Sequence, residues 1–164
     1  MPPSVALPMS RKPIPHSWMC ALAAVALVSL AAGCGIMGGK KSIQLSLEAG
    51  PECNNCGKDS PQPLEFAVLQ LTDASAITGT SLVQIWGKEK NLFGDALLTR
   101  DTGSIIPRSS QPFAYQRDPK AKAVLVIGNF CRPDANCWYV SQSLAKGSKL
   151  NLKAGASCLS MVTK

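Results

Sequence analysis

Cys53 and Cys56 form a CxxC pair, a spacing used for thiol–disulfide exchange and for half of a four-thiolate zinc site. Exchange pairs of the thioredoxin type sit where a strand enters a helix N-terminus, which lowers the thiol pKa. Here the pair lies in Gly50-Pro-Glu-Cys-Asn-Asn-Cys-Gly-Lys-Asp-Ser-Pro-Gln-Pro63, a segment whose composition marks a loop. A structural Cys53–Cys56 bridge is therefore expected over a redox centre. Cys131 and Cys137 bracket Arg-Pro-Asp-Ala-Asn, so turn geometry predicts a second, local bridge. Cys158 is left over, to pair with Cys53 or Cys56 or to stay free. No metal site is expected, because disulfide formation in an oxidising space competes with zinc.

That oxidising space is inferred from the first 33 residues. Arg11 and Lys12 precede Trp18 to Ala32, an apolar run without charge. As a helix it would span roughly 22 Å, short of a hydrocarbon core of ~30 Å. A basic flank, a short apolar run and small residues at its end are the marks of a secretory signal, and Met9 offers an alternative start with a compact basic leader. The run closes as Leu30-Ala31-Ala32-Gly33-Cys34, which resembles the lipobox of bacterial lipoproteins, with Ala31 at the place of the usual bulky residue. The resemblance implies cleavage before Cys34, a diacylglyceryl group on its sulfur and an acyl chain on its new amino terminus. Gly35 after the cysteine implies the outer membrane by the same resemblance.

Cleavage also removes His16, the single histidine. Residues 34–164 then lack Ser-His and Cys-His nucleophile systems, His-ligated metals and the commonest general base. No catalytic residue and no small-molecule substrate are expected. Fifteen lysines and arginines face ten acids over those residues, a net charge of +5 spread without a basic run. No motif supports nucleic-acid binding.

The elements that would position these cysteines are mostly strands. Gly35 to Lys41 reads as a flexible tether, so that 34–41 links the anchor to a domain over 42–164. Ile43, Leu45 and Leu47 alternate with polar residues, a half-buried strand, and Leu64 to Leu71 is a second. Asp73 to Trp86 reads as a weak helix with Ala76, Gly79, Val83 and Trp86 on its packed face, ended in solvent by Lys88-Glu89-Lys90. Leu92-Phe93-Gly94 is a turn into a short strand from Asp95 to Arg100, and Phe113 and Tyr115 lie in another extended piece. Ala123 to Phe130 is the most apolar run of the domain and reads as a central strand buried on both faces. Trp138 to Leu144, Leu150 to Leu152 and Cys158 to Val162 supply the rest. Six to eight short strands with one helical insertion predict an all-β, two-layer β-sandwich.

Ordered along the chain, these features resemble the TssJ (SciN, VasD) family of type VI secretion outer-membrane lipoproteins. A lipobox cysteine precedes the strand Ile43 to Glu48. A polar loop then ends in Pro61-Gln-Pro63 ahead of Leu64 to Leu71, and a helix-like segment ends at Trp86. Leu92-Phe-Gly-Asp-Ala-Leu-Leu98 is similar to the family's Leu-Gly-x-Asp-Leu-Leu stretch, and Ala123 to Phe130 to its late central strand. The resemblance spans Ser42 to about Phe130. It implies a transthyretin-like sandwich with added helical elements and no enzymatic activity. It also implies a partner, the periplasmic domain of the inner-membrane protein TssM, bound by the loop between the first two strands. In this sequence that loop offers Gly50, Glu52, Asn54, Asn55, Lys58 and Asp59, and departs from the family in carrying Cys53 and Cys56.

Two other classes compete. A lipid-anchored module binding carbohydrate or peptidoglycan would line a groove with Trp86, Trp138, Tyr115 and Tyr139, and a thiol oxidoreductase would use Cys53 and Cys56. The anchor itself is directly testable. Cys34→Ser is expected to abolish incorporation of labelled palmitate and to leave residues 1–33 attached, read by labelling and intact mass.

Overall fold

The computed structural model describes residues 41–57, 60–77 and 79–162; of Ala76 only the backbone is described. The signal, Cys34 and most of the tether lie outside these residues. Every residue of the described core falls within the compact unit Lys40–Lys164.

Eight strands form two sheets. β1 (Ser42–Ala49), β4 (Ser110–Gln116), β7 (Lys149–Ala154) and β8 (Leu159–Met161) make the first, in the order β4-β1-β7-β8. β2 (Leu64–Leu71), β3 (Leu97–Ile105), β5 (Ala123–Gly128) and β6 (Tyr139–Ser143) make the second, in the order β3-β2-β5-β6. All pairings are antiparallel except β1 with β7, which is parallel. Pro112 is tolerated within β4 because that strand is an edge, where a missing N–H need cost no ladder bond.

The alternation expected of β1 is observed, with Ile43, Leu45, Leu47 and Ala49 buried and the residues between them facing solvent. β2 and β5 differ, being buried on both faces. Phe66, Val68 and Gln70 turn inward, and the Phe66 ring meets Phe113 of the first sheet edge-on at 5.0 Å. The ring lies where a Cβ on Gly103 would be, 2.5 Å from its Cζ, so only glycine fits opposite it. Gln70 is fully buried and joins the sheets: its Nε2 donates to the Gln116 carbonyl at 2.8 Å and its Oε1 accepts from the Asp118 N–H at 2.7 Å.

The outer face of the second sheet is covered by the segment between β2 and β3. The single helix expected over Asp73 to Trp86 is instead a 3-10 turn at Ser75–Ile77 and a one-turn helix, α1 (Leu82–Ile85). Gly79 at φ +80° and Gly87 at φ +75° break the path, each in the left-handed region that favours glycine. The packed residues are Ile77, Leu82 and Ile85, whereas Val83 is 81% exposed and Gly79 faces solvent. Trp86 does pack on the core. Lys88 and Lys90 are in solvent as expected, but Glu89 between them begins a second helix, α2 (Glu89–Phe93), and is buried. Leu92 and Phe93 belong to that helix, and a 3-10 turn at Gly94–Ala96 leads into nine-residue β3.

Glu89 is stable there because its charge is matched. Its Oε2 lies 3.1 Å from the Arg100 Nε, its Oε1 accepts the Gly87 N–H at 3.1 Å, and the Arg100 guanidinium sits 5.6 Å over the Trp86 ring.

Gln70→Leu keeps shape but orphans two backbone groups, and is expected to cost about 2–3 kcal/mol in denaturant unfolding. The exposed Gln111→Leu should change stability by under about 0.5 kcal/mol.

Candidate docking pole and its disulfides

The loop between β1 and β2 lies at one end of the sandwich and is stitched to two others. Cys56 bonds Cys131 across 75 positions, and Cys137 bonds Cys158 across 21, with Cα–Cα separations of 5.2 and 4.9 Å. These pairings correct the expectation of local Cys53–Cys56 and Cys131–Cys137 bridges, and of Cys158 pairing with Cys53 or Cys56. Cys53 is left free. The reason is orientation: Cys53 points into the core at zero exposure, while Cys56 turns outward toward the β5–β6 loop. Burial raises the Cys53 thiol to about 11, so it stays protonated and a poor nucleophile. Among the described residues four thiolates do not converge, and where Asp134 approaches Cys137 and Cys158 the two sulfurs are already bonded to each other.

Asn54 organises the loop. It adopts φ 49°, a left-handed conformation that asparagine tolerates, and is almost fully buried. Its Nδ2 donates to the Pro63 carbonyl at 2.9 Å and its Oδ1 accepts the Cys131 N–H at 2.9 Å. One side chain thus ties the start of the loop to its end and to the β5–β6 loop. The Asn54 and Asn55 N–H groups donate to the carbonyls of Gly155 and Ala156, and Gln62 N–H donates to the Cys53 carbonyl. Asn55 Oδ1 accepts the Gly57 N–H at 2.8 Å, closing a turn at Gly57, whose φ is +102°. The Arg132 guanidinium folds over that glycine, in space a side chain there would occupy.

Of the residues expected to meet a partner, Glu52 and Asn55 are at the surface, where Asn55 Nδ2 donates to the Glu52 carboxylate at 3.2 Å. Gly50 and Asn54 are buried and serve as framework. Lys58 and Asp59 lie outside the described residues. Sequence reasoning missed two neighbours. The turn after β3 reaches the same pole, where Arg108 N–H donates to the Gly50 carbonyl, and it presents Ile106 at 57% exposure. Asp134 N–H donates to the Ser157 carbonyl, adding the segment before β8. Isolated signals at Ile106 and Arg132 are too weak to find from sequence. Beside the β1–β2 loop lies a shallow cleft of about 750 Å³ lined by Gly57, Ser60, Gln62, Glu65, Ser104 and Asn129.

The four aromatics do not converge on one groove: Trp138 and Tyr139 border a surface pocket of about 340 Å³ beside Leu82 and Asp134, and neither Trp86 nor Tyr115 lines it. Trp138 is buried against Tyr139 with ring centroids 4.7 Å apart, and Trp86, Tyr115 and Tyr139 are half-buried on the core.

The fold has known counterparts. The chain is similar in structure to the type VI secretion lipoprotein TssJ1 from Pseudomonas aeruginosa, with a TM-score of 0.68 at 16% identity over 76% of this chain and 97% of that one. It is similar to Serratia marcescens Lip, described as a membrane-bound component of the type VI secretion system, at 0.67 and 20% identity over 76% and 98%. A chain of the structure titled "T6SS protein TssM C-terminal domain (869-1107) from EAEC" matches at 0.67 and 16% identity over 76% and 99%. No curated protein sequence matches the chain. Residues 41–156 match the family model described as "Type VI secretion lipoprotein, VasD, EvfM, TssJ". This chain belongs to the type VI secretion lipoprotein family.

Proposed function

We propose that the protein is a non-catalytic, outer-membrane lipoprotein of a type VI secretion complex, anchored through Cys34 and facing the periplasm. It holds the periplasmic domain of a TssM-like inner-membrane protein with its β1–β2 loop. The observation that carries this reading is the stitched loop. Cys56–Cys131 and the Asn54 amide fix its backbone while Glu52, Asn55, Ser60 and the neighbouring Ile106 stay at the surface. A loop already ordered loses less entropy on association than a free one, so more of its contact energy appears as affinity. The Cys56–Cys131 bridge stands where a structural Cys53–Cys56 bridge was expected and supplies this preorganisation.

A non-catalytic role is supported by the state of the thiols. Thiol exchange through Cys53 and Cys56 would need an exposed, low-pKa nucleophile, and Cys53 is buried with a raised pKa. Domain chemistry without histidine favours binding over turnover.

Ile106→Asp and Glu52→Lys are each expected to weaken binding of a TssM periplasmic domain by about tenfold or more in calorimetric titration, on the usual size of interface truncations. Cys56→Ser with Cys131→Ser should weaken it by about tenfold while the circular dichroism spectrum is retained. Unchanged affinity in all three would overturn the assignment of the partner to this pole. Separately, Cys53 should resist a maleimide reagent at about pH 8 until the protein is unfolded, as expected of a buried thiol with a raised pKa, and insulin reduction should stay at background. Rapid labelling of the folded protein would restore the oxidoreductase reading.

A further inference from the structure

The end of the sandwich opposite the docking loops is basic. Lys41 enters β1 there, and its carbonyl accepts the Arg117 N–H at 2.9 Å. Lys120 and Lys122 follow in the β4–β5 turn, where Lys122 N–H donates to the Leu71 carbonyl and its own carbonyl accepts the Leu144 N–H. Lys146 and Lys149 flank the β6–β7 turn, with Lys149 beside Gln44 in the ladder. Five of these six cations are exposed and Arg117 is half-buried. Among the described residues none has a carboxylate within salt-bridge distance.

The acids at this end are few and engaged. Asp118 accepts the Lys120 N–H. Asp73 is held below its ordinary pKa first by the Ser75 N–H and hydroxyl, and in smaller part by Lys122. Asp95 lies 3.6 Å from Lys90, which offsets it. Six cations thus stand against two carboxylates, a local charge near +4. The docking pole carries Glu48, Glu52, Glu65 and Asp134 against Arg108, Arg132 and Lys153, a local charge near −1. Among the described residues, charge is therefore polarised between the two ends of the strands.

We propose that this basic pole docks on the anionic headgroups of the membrane that holds the lipid. The inference rests on acylation at Cys34. Six residues lie between Cys34 and Lys41. A chain of that length spans at most about 25 Å. The pole from which the tether leaves is thus kept within about three Debye lengths of the lipid surface. Tethering raises the effective concentration, so a weak electrostatic contact suffices. Each lysine or arginine near an anionic surface adds about fivefold to partitioning. Docking this way aims the β1–β2 loop away from the bilayer, toward a partner rising from the inner membrane.

The test uses the unacylated chain from Gly35, which retains the compact unit, and separates docking from anchoring. It should sediment with vesicles containing about 30% phosphatidylglycerol and not with pure phosphatidylcholine, and about 0.5 M salt should release it. Lys120→Glu, Lys122→Glu and Lys146→Glu together should lower partitioning by about a hundredfold or more. Arg108→Glu, Arg132→Glu and Lys153→Glu make the same change in net charge at the other pole and should alter it by under about threefold. Equal losses in the two triple variants, no binding to anionic vesicles, or preferential binding to isolated peptidoglycan would each overturn the proposal. Failure of palmitate labelling at Cys34 would count against the anchor alone and leave the vesicle result to be judged by itself.

Discussion

Everything in this domain follows from one constraint: the β2–β5 pair is apolar on both faces and must be covered twice. Phe66, Val68, Val124 and Val126 pack toward the first sheet, while Ala67, Leu69, Leu125 and Ile127 on the reverse would otherwise face water. Each such side chain removed from water contributes roughly 1.5–3 kcal/mol. The segment from Thr72 to Ala96 supplies the second cover although its helices are only four and five residues long. Helices so short have no stability of their own in water. Packing holds them, through Ile77, Leu82, Ile85 and Phe93, and so does the Glu89–Arg100 pair, which clamps the insertion to β3.

The same topology separates the chain's entry into the domain from the β1–β2 loop. β1 is the first strand and lies inside the first sheet, so the chain enters at one pole and leaves into the β1–β2 loop at the other. Eight residues of strand place those poles roughly 26 Å apart. Both disulfides sit at the loop pole and the unpaired lysines gather at the entry pole. Rigidity and charge have been sorted to opposite ends.

Strand positions were legible wherever burial is one-sided or total. β2 begins and ends at the residues its pattern marks, and the apolar run from Ala123 was correctly placed at the centre of a sheet. The helical insertion was legible in existence and not in detail. Helical periodicity assumes an unbroken helix, and the left-handed turns at Gly79 and Gly87 reset the phase, so Val83 came out exposed and Leu82 buried. Glu89 was read as solvated because its partner Arg100 is eleven positions away on another strand. The loop was found as a polar, cysteine-bearing segment, yet which of its residues point outward depends on the Asn54 hydrogen bonds, which join positions nine and 77 apart.

Disulfide pairing failed from sequence for a related reason, and the difference matters energetically. Proximity along the chain suggested small rings, whereas the protein closes rings of 75 and 21 residues. On the loop-entropy model these correspond to about 4.5 and 3.3 kcal/mol, and a ring joining Cys131 to Cys137 to about 2.2 kcal/mol. The longer closures also do what local ones do not: they join three separate loops into one rigid end. A Cys53–Cys56 bridge would have turned Cys53 out of the core and left the loop attached only through its own strands. With Cys53 inside, its thiol serves as a small buried apolar group, and Cys56 is free to reach the β5–β6 loop. The CxxC spacing here places one sulfur inward and one outward, and that division makes the loop a fixed surface.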